Sequence, residues 1–548
     1  MTSKSDGSKC RVADVIARRL ARVTRFAFGV PGGEVLTLID ALRAADVRFV
    51  VARQESAGGF MAEGVQRTVG GVGLLVATIG PGVANTINIA SHAQQARRPL
   101  IILTGCVEAA DTDSYTHQVF DHQAVLRPLV KGSFRVAAAT AAEVIDRAIL
   151  LAVEGSPGPV HVEVPVDVAD QLVDSRPVVA TSMPASRPDA IARAREALRK
   201  AERPLVLAGL ELSGGVEPPG RGADVLRGVV ERFAIPVFTT YEAKGVLDEH
   251  HPAALGGVGL APKADGLALP LVARADVVVL AGYDPVEMRH AWRNPFHPEA
   301  TVIDCTRRAG QHGMHAASMI LQGDPATTLE ALFDGLERDA LWGEAVETRA
   351  ALRSAFPTDA SWGPSGIFGV LEELLPAQTW LAVDTGAHRI LLCQQWRFRH
   401  PGRLIQSNGT STMACALPFA IGAKLAAPDE PVACIVGDGG FEMGLGELGT
   451  LRDLGLAIPI FVIDDRSLAL IEKKQRSREL PNVGVDFGAD GRDFPGTDYA
   501  AIGRAFGGEG VRVESLDALR DATKAAMARD RFTLIHCPID RRAYDGRI

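Results

Sequence analysis

Two aspartates and a run of glycines form the segment of this sequence best suited to chemistry. GDGG occupies residues 437–440 after an apolar run, and the next apolar run ends in Asp464 and Asp465. Glycine amides at a strand-to-helix turn bind phosphate oxygens, because a helix N-terminus carries partial positive charge. Asp438 and Asp465 offer the hard oxygen ligands that Mg²⁺ prefers. The segment predicts a site for Mg²⁺ and a diphosphate, whereas the glycines alone indicate only a tight turn.

A parallel β-sheet has to position these residues. Short Val, Ile and Leu runs bounded by Gly or Pro alternate with helix-period segments, which is typical of buried parallel strands with crossover helices. The predicted strands are 48–51, 73–78, 99–104, 160–164, 204–208, 235–239, 275–280, 301–304, 380–383, 432–436, 458–463 and 533–536. Ligands of such sheets bind at the carboxyl ends of the strands. We predict an α/β fold with three doubly wound parallel-sheet domains.

Composition places the domain boundaries. A stretch rich in Pro and Ser at 174–188 predicts a linker, and 341–365 predicts a second connector. We therefore expect domains at 1–180, 190–340 and 366–548. The length of 548 residues agrees with three or four domains of about 150 residues each.

Charge, hydropathy and cysteine usage exclude several classes of protein. The net charge is −8 and no Lys/Arg cluster occurs, so we expect no nucleic-acid partner. No apolar stretch reaches the roughly 18 residues of a membrane-spanning helix, and the polar N-terminus does not resemble a signal peptide. The seven cysteines are scattered, which argues against a disulfide framework and a structural zinc site. We expect a cytoplasmic protein without membrane contact.

Motifs along the whole chain resemble those of thiamine diphosphate-dependent enzymes, in the acetolactate synthase and pyruvate oxidase branch. GDG followed after a spacer by a paired Asn or Asp is similar to the signature of that family. The other matching segments are VPGGEVLTLIDAL at 30–42, RQESAGGFMAEG at 53–64, TIGPGVANT at 78–86, SPGPVHVEVPVDV at 156–168, DTGAH at 384–388 and SNGTSTMACALPFAIGA at 407–423. The resemblance implies a pyrimidine-binding, a central and a diphosphate-binding domain, with thiamine diphosphate and Mg²⁺ as cofactors.

The resemblance also implies catalytic roles. Glu55 matches the glutamate that hydrogen-bonds the pyrimidine ring and activates the cofactor, and Gln118 matches a glutamine that reaches the substrate. Without the family context, Glu55 would be interpreted as a solvated carboxylate at a helix start. His117 stands where the family usually has phenylalanine. Either it faces the thiazolium ring and moves protons, or it lies with His122 in a surface loop without a role.

The remaining implied positions bind the cofactor or the metal. The implied cofactor-binding residues are Pro81, Asn85, Thr385, Gly386, Ala387, His388, Ser411, Met413, Gly437, Gly439, Gly440, Phe441 and Leu468. The implied metal ligands are Asp438, Asp465 and Ser467. Met413 would lie under the cofactor and bend it, although a methionine in that setting is ordinarily core filler.

Two departures from the family pattern bear on substrate and flavin. Lys474 stands where the synthases place a tryptophan in the acceptor pocket, and Glu472 replaces a basic residue. We therefore expect a donor or acceptor that differs from the pyruvate pair of acetolactate synthases. Segments 255–266 and 281–292 lack the features of flavin-binding relatives, so we expect no bound FAD.

These observations predict a thiamine diphosphate- and Mg²⁺-dependent carboligase. It would decarboxylate a 2-oxo acid and join the remaining fragment to a second carbonyl compound, as a homodimer or homotetramer. The alternatives are a 2-oxo acid decarboxylase that adds a proton instead, and a catalytically silent structural or regulatory member of the family. A nicotinamide-dependent oxidoreductase is disfavoured, because no GxGxxG follows a predicted strand.

Overall fold

The computed structural model describes residues 9–111, 114–174, 188–214, 220–308, 313–487 and 496–548. The chain divides into two compact units: residues 1–183 with 215–218, and residues 184–214 with 219–548. Most of the predicted linker, residues 175–187, lies outside the described residues.

A six-stranded parallel sheet forms the core of the first unit. The strands of this unit are β1 (Lys9–Arg11), β2 (Phe26–Val30), β3 (Arg48–Val51), β4 (Gly73–Ala77), β5 (Leu100–Cys106), β6 (Ser133–Arg135), β7 (Pro159–Pro165) and β8 (Leu172–Asp174). Its helices are α1 (Val12–Leu20), α2 (Leu36–Ala44), α3 (Glu55–Val69), α4 (Pro81–Ala84), α5 (Ile87–Gln95), α6 (His122–Leu126), α7 (Ala141–Val153) and α8 (Val166–Ala169). The sheet order is β3-β2-β4-β5-β7-β6, and β1 pairs with β8 in an antiparallel ribbon. Every residue of β5 and β7 is buried, as expected of strands covered by helices on both faces.

The second unit contains two further six-stranded parallel sheets. The strands of the central sheet are β9 (Pro204–Ala208), β10 (Val237–Thr239), β11 (Ala254–Gly257), β12 (Val277–Ala281), β13 (Thr301–Thr306) and β14 (Met319–Gln322). The helices of this region are α9 (Pro188–Lys200), α10 (Arg221–Arg232), α11 (Pro262–Val272), α12 (Pro325–Phe333) and α13 (Gly343–Ala355). The order β11-β10-β9-β12-β13-β14 is that of a Rossmann-type doubly wound sheet. Helix α13 lies inside the segment that the sequence pattern indicates as a connector.

The C-terminal sheet carries most of the predicted site residues. Its strands are β15 (Trp380–Val383), β16 (Leu404–Ile405), β17 (Val432–Gly437), β18 (Pro459–Asp464), β19 (Glu509–Arg512) and β20 (Thr533–Pro538). Its helices are α14 (Pro364–Leu374), α15 (Ala387–Gln395), α16 (Ala416–Ala426), α17 (Asp438–Gly444), α18 (Glu447–Leu454), α19 (Ala469–Ser477), α20 (Tyr499–Ala505) and α21 (Leu516–Met527). The order is β16-β15-β17-β18-β20-β19, so its strands are arranged as in the sheet of the first unit.

The fold prediction of three doubly wound parallel sheets is confirmed. All twelve predicted strands exist, and their bounds shift by at most two residues. Eight further strands escape the sequence pattern, and all but β2 lie at sheet edges or in the ribbon. Several of these strands are only two to four residues long, so their apolar signal is weak. All seven cysteines are buried and unpaired. No helix among the described residues is long and apolar enough to cross a bilayer.

Candidate active site

Glu55 is the first residue of α3 and is buried in the first unit, with 6% of its surface exposed. Asn85 donates a hydrogen bond from Nδ2 to Glu55 Oε2 at 2.8 Å. The other carboxylate oxygen faces Gly82, where a Cβ would lie 3.4 Å from Glu55 Oε1. The Ser56 hydroxyl donates to the Asn85 carbonyl, which fixes the residue that holds Glu55. The carboxyl group is thus oriented from two sides.

The turn after β4 brings Gln118 and His122 to the same edge of this sheet. Gly80 has φ +59°, and a Cβ there would lie 2.8 Å from Gln118 Cβ, so only glycine fits. Gln118 itself has φ 59° and is exposed. His122 Nε2 accepts a hydrogen bond from the Gly80 amide at 3.2 Å. His117 is exposed and its ring meets Tyr115 edge-on at 6.4 Å.

In the second unit, His388 lies between the loops that follow β15 and β17. A Cβ on Gly386 would lie 2.6 Å from His388 Nδ1, and a Cβ on Gly437 would lie 3.3 Å from it. Burial and the neighbouring Arg389 lower the pKa of His388 to about 3, so the ring is neutral at pH 7. His388 Nε2 and Thr385 Oγ1 are buried without a hydrogen-bond partner. These two polar atoms, beside glycine amides, suit the oxygens of a phosphate.

The two predicted metal-binding aspartates end adjacent strands and are both buried. Asp438 begins α17; its Oδ1 accepts from the Gly439 amide at 2.7 Å, while Oδ2 has no partner. Asp465 Oδ1 accepts from the Ser467 amide at 2.9 Å and from the Ser467 hydroxyl at 2.8 Å. Burial and the charge of Asp465 raise the pKa of Asp438. Burial also raises the pKa of Asp465, to about 7. Two buried carboxylates with raised pKa values favour a cation beside them.

The donor set of this cluster fits a divalent cation held jointly with a diphosphate. Asp438 Oδ2 is a buried, unpartnered carboxylate oxygen, and carboxylate oxygens are ligands of Mg²⁺. No group of three or more His, Cys, Asp or Glu side chains with metal-binding geometry occurs among the described residues. A cation at this edge would therefore need further oxygens from its ligand, as Mg²⁺ in phosphate sites does.

Asp464, the first aspartate of the pair, contributes to the raised pKa of Asp438 and also has further partners of its own. Its Oδ2 lies 2.8 Å from His536 Nε2, and its Oδ1 accepts from the Arg466 amide at 3.0 Å. Although burial opposes ionisation, these bonds hold the pKa of Asp464 below its usual value. The Asp464–His536 pair lies behind the cluster, in contact with the ring of Tyr499.

The loop that carries Met413 is held by Asp384, the residue directly after β15. Asp384 is fully buried, and its carboxylate accepts from the amides of Ala414 at 2.9 Å and Cys415 at 3.0 Å. The same carboxylate packs against Gly440, where a Cβ would lie 3.1 Å from Asp384 Cγ. Met413 is half-buried. One acid thus joins the loop of Met413 to the GDGG turn.

Comparison with known proteins matches all three sheets to one family. Residues 10–125 match the thiamine pyrophosphate enzyme N-terminal TPP binding domain, residues 191–332 match the central domain, and residues 384–537 match the C-terminal TPP binding domain. The chain belongs to the thiamine pyrophosphate enzymes. Its curated relatives place it in the acetolactate synthase branch of that family.

The relatives match over nearly their whole length. Acetolactate synthase of Bacillus subtilis (strain 168) is 30% identical, over 94% of this chain and 90% of its own. The catabolic acetolactate synthase of Raoultella terrigena is 30% identical, over 97% of this chain and 95% of its own. The probable acetolactate synthase large subunit of Methanococcus aeolicus is 28% identical, over 94% and 89%. The chain is thus a thiamine pyrophosphate-dependent enzyme.

Within each unit, the predicted site residues cluster at the carboxyl edge of one sheet. In the first unit, the 78–86 turn joins Glu55, Asn85, Pro81 and Gln118. In the second unit, the glycines and Ala387 form helix starts, Phe441 is buried on α17, and Leu468 Cδ2 would lie 3.3 Å from a Cβ on Gly439. The sequence pattern does not indicate Asp384, His536 or Arg389 as site residues. Asp384 and His536 stand at or beside a predicted strand end, which was the available signal.

The two departures on α19 lie in different environments. Lys474 is exposed. Glu472 is buried, and Arg476 binds both of its carboxylate oxygens at 3.1 Å, while Asn482 donates to Oε1 at 3.1 Å. Arg476 also contacts Asp545 at 2.7 Å. Glu472 therefore belongs to an ion-pair network that ties α19 to the C-terminal segment.

Proposed function

We propose that this enzyme is a thiamine diphosphate- and Mg²⁺-dependent carboligase. It takes a 2-oxo acid and a second carbonyl compound, releases CO₂ and forms a 2-hydroxy ketone with one new carbon–carbon bond. The observation that carries the proposal is the buried cluster of Asp438 and Asp465, with an unpartnered carboxylate oxygen beside a glycine-rich helix start. Relatives named acetolactate synthase support the carboligase reaction.

The residues of the second unit would hold the cofactor by its diphosphate end. Asp438, Asp465 and Ser467 would supply oxygen ligands to Mg²⁺, while His388 and Thr385 would contact phosphate oxygens with their free polar atoms. Met413, held through the Asp384 clamp, would support the cofactor from below. Thiamine diphosphate, when bound, supplies the electron sink that decarboxylation needs.

The residues of the first unit would handle protons. Glu55 holds a proton or releases it at its carboxylate, and Asn85 fixes that carboxylate by a 2.8 Å hydrogen bond. Gln118 packs against the turn at Gly80, and we assign Gln118 and His117 to substrate contact. His117 is exposed, so a proton-transfer role for it requires a substrate or a second subunit to cover it.

A homodimer or homotetramer is part of the proposal. Large apolar side chains are exposed in both units: Val51 is 45% exposed, Ile87 39% and Phe120 37% in the first unit, and Met443 62% and Ile471 48% in the second. Such side chains are available to pack against a second copy of the chain. We also assign the protein to the cytoplasm, in line with seven unpaired cysteines. Light scattering on the purified protein measures the oligomeric state.

We further propose that the protein carries no stoichiometric flavin. Segments 255–266 and 281–292 lack the features that flavin-binding relatives carry at these positions, which supports this proposal. An absorbance spectrum of the purified protein tests this, and a flavin peak at one equivalent per chain would refute it.

A substrate panel tests the proposed reaction. Purified protein with thiamine diphosphate and Mg²⁺ is given 2-oxo acids, alone and with larger aldehydes, ketones or diketones, and products are identified by mass. The proposal expects hydroxy ketones, with pyruvate self-condensation slower than a mixed reaction, because Lys474 replaces the acceptor-pocket tryptophan. Aldehyde and CO₂ without ligation would identify a decarboxylase, and no turnover with any acid would identify a silent member.

A further inference from the structure

The loop at residues 407–415, which carries Met413, contains strained backbone on both sides of that residue. Ser411 has φ 49° and Ala414 has φ 66°, a left-handed conformation that only glycine adopts readily. Such strain persists only where the surrounding structure imposes it. Asp384 imposes it on the Ala414 side, through the amides of Ala414 and Cys415.

Arg389 imposes the backbone strain on the Ser411 side of the loop. This residue of α15 is 4% exposed, and its guanidinium donates to the Ser407 carbonyl, to Asn408 Oδ1 at 3.3 Å and to Ser411 Oγ at 3.3 Å. The Ser411 hydroxyl donates in turn to the Asn408 carbonyl at 3.2 Å. A planar guanidinium fork suits this task, because it binds several oxygens in one fixed geometry.

A negative charge that complements Arg389 comes from the central sheet region, at Glu242. Asn408 donates from Nδ2 to Glu242 Oε2 at 2.6 Å, and Glu242 is 5% exposed in the segment after β10. Two more hydrogen bonds join the segment after β10 to the C-terminal region. Gln406 donates to the Tyr241 carbonyl at 3.2 Å, and Gln394 donates to the Tyr241 hydroxyl at 2.8 Å. Arg389, Asn408 and Glu242 therefore form a buried chain from a cation through an amide to an anion. Each charge is costly to bury without the other.

We propose that Arg389 and Glu242 are positioning residues that hold the 407–415 loop in its strained, cofactor-binding form. Through Glu242, the central sheet region takes part in cofactor binding without contacting the cofactor. The inference rests on the proposed function, since it requires thiamine diphosphate to bind at this loop.

The test compares Arg389→Met and Glu242→Gln with a matched control, Arg349→Met. Arg349 is a partly buried arginine that donates hydrogen bonds to backbone carbonyls, those of His250, His251 and Ala254, at 3.0–3.1 Å. For each purified apoprotein we measure the melting temperature, the affinity for thiamine diphosphate with Mg²⁺ by calorimetry, and hydrogen–deuterium exchange at the thiazolium C2 position of the bound cofactor.

The proposal expects Arg389→Met to weaken cofactor affinity at least tenfold and to slow C2 exchange, and Glu242→Gln to weaken affinity several-fold. Arg389→Lys keeps the charge but not the fork, so it should recover affinity only in part. Arg349→Met should lower the melting temperature and leave affinity and exchange at wild-type values. If Arg389→Met does not fold, Glu242→Gln decides alone.

Wild-type affinity and exchange in a folded Arg389→Met or Glu242→Gln variant would overturn the inference. Equal losses in Arg389→Met and Arg349→Met would also overturn it, because the effect would then follow stability alone. Failure of the wild-type protein itself to bind thiamine diphosphate would instead contradict the proposed function.

Discussion

The sheet of the first unit and the C-terminal sheet have the same strand arrangement but present different chemistry at their carboxyl edges. In each sheet, the third strand along the chain is followed by a helix. Helix α4 follows β4 in the first sheet, and α17 follows β17 in the second. The first edge presents one buried carboxyl, Glu55, held by Asn85. The second edge presents two buried aspartates, glycine amides and a neutral histidine. One topology therefore presents two different sets of side chains, which the proposal assigns to proton handling in one place and to cation and phosphate binding in the other.

The difference lies in how each edge satisfies its buried acid. One carboxylate oxygen of Glu55 is held by a protein partner, Asn85. Asp438 has an oxygen without a partner and a raised pKa, which favours a cation beside it. Substitutions at the two edges should therefore impair the enzyme in different ways. At the Glu55 edge turnover should fall, and at the Asp438 edge cofactor binding should weaken.

Glu55→Gln should have the largest effect, because it removes the proton-handling group and keeps the shape. We expect turnover to fall by about 10²–10⁴, the usual contribution of a positioned acid or base. Cofactor affinity should stay near the wild-type value, since the diphosphate end is untouched. Steady-state kinetics and calorimetry measure both, and a variant that turns over at the wild-type rate would remove Glu55 from the mechanism.

Asp438→Ala should instead impair the binding of the cofactor and the metal. Removing a direct ligand should cost more than the roughly 10–100-fold that loss of a residue behind a ligand costs in metal affinity. Thiamine diphosphate and Mg²⁺ should weaken together, because one ion bridges the protein and the diphosphate. Calorimetry with and without Mg²⁺ decides this. Unchanged affinities would show that the GDGG segment is only a tight turn and binds no cation.

Gly440→Ala should have a smaller effect that combines stability and binding. The new Cβ would lie 3.1 Å from Asp384 Cγ, so the acid that clamps the Met413 loop must move. We expect a stability loss of about 1–3 kcal/mol, as for other overpacked sites, with weakened cofactor binding. Gly228→Ala is the matched control, because nothing lies within 4 Å of a Cβ at that helical position. Equal unfolding midpoints in urea for the two variants would contradict the claim that Asp384, packed against Gly440, holds the Met413 loop.

Lys474→Ala should have the smallest effect on the fold. The side chain is exposed on α19, so we expect a stability change within about 0.5 kcal/mol. If α19 borders the acceptor pocket, the ratio of mixed ligation to pyruvate self-condensation should change while cofactor affinity does not. An unchanged product ratio would place Lys474 outside the pocket.

The sequence pattern predicts much of the fold because buried parallel strands leave continuous apolar runs. Glu55, Asp438 and Asp465 fall at the ends of such runs, so their location at a sheet edge is predictable from the chain alone. The clamps are not predictable in this way. Asn408 and Glu242 are 166 residues apart, and Asp464 and His536 are 72 apart.

These pairs depend on which loops meet in space, and a single sequence has no local period that encodes such a meeting. The α13 helix shows a related limit, because its apolar face is weak and only two of its residues, Ala345 and Leu352, are buried. Local patterns thus identify the elements and their ends, while the partners of buried polar groups follow from tertiary packing.

The central claim is that Glu55 handles protons, whereas Asp438 binds the cation and, through it, the diphosphate of the cofactor. Calorimetry of thiamine diphosphate with Mg²⁺ on Glu55→Gln and Asp438→Ala, run beside steady-state turnover of both variants, tests it most directly. The account predicts near-wild-type affinity with a turnover loss of about 10²–10⁴ in Glu55→Gln, and a loss of affinity greater than about tenfold in Asp438→Ala. An equal loss of affinity in both variants, or near-wild-type affinity in Asp438→Ala, would contradict it.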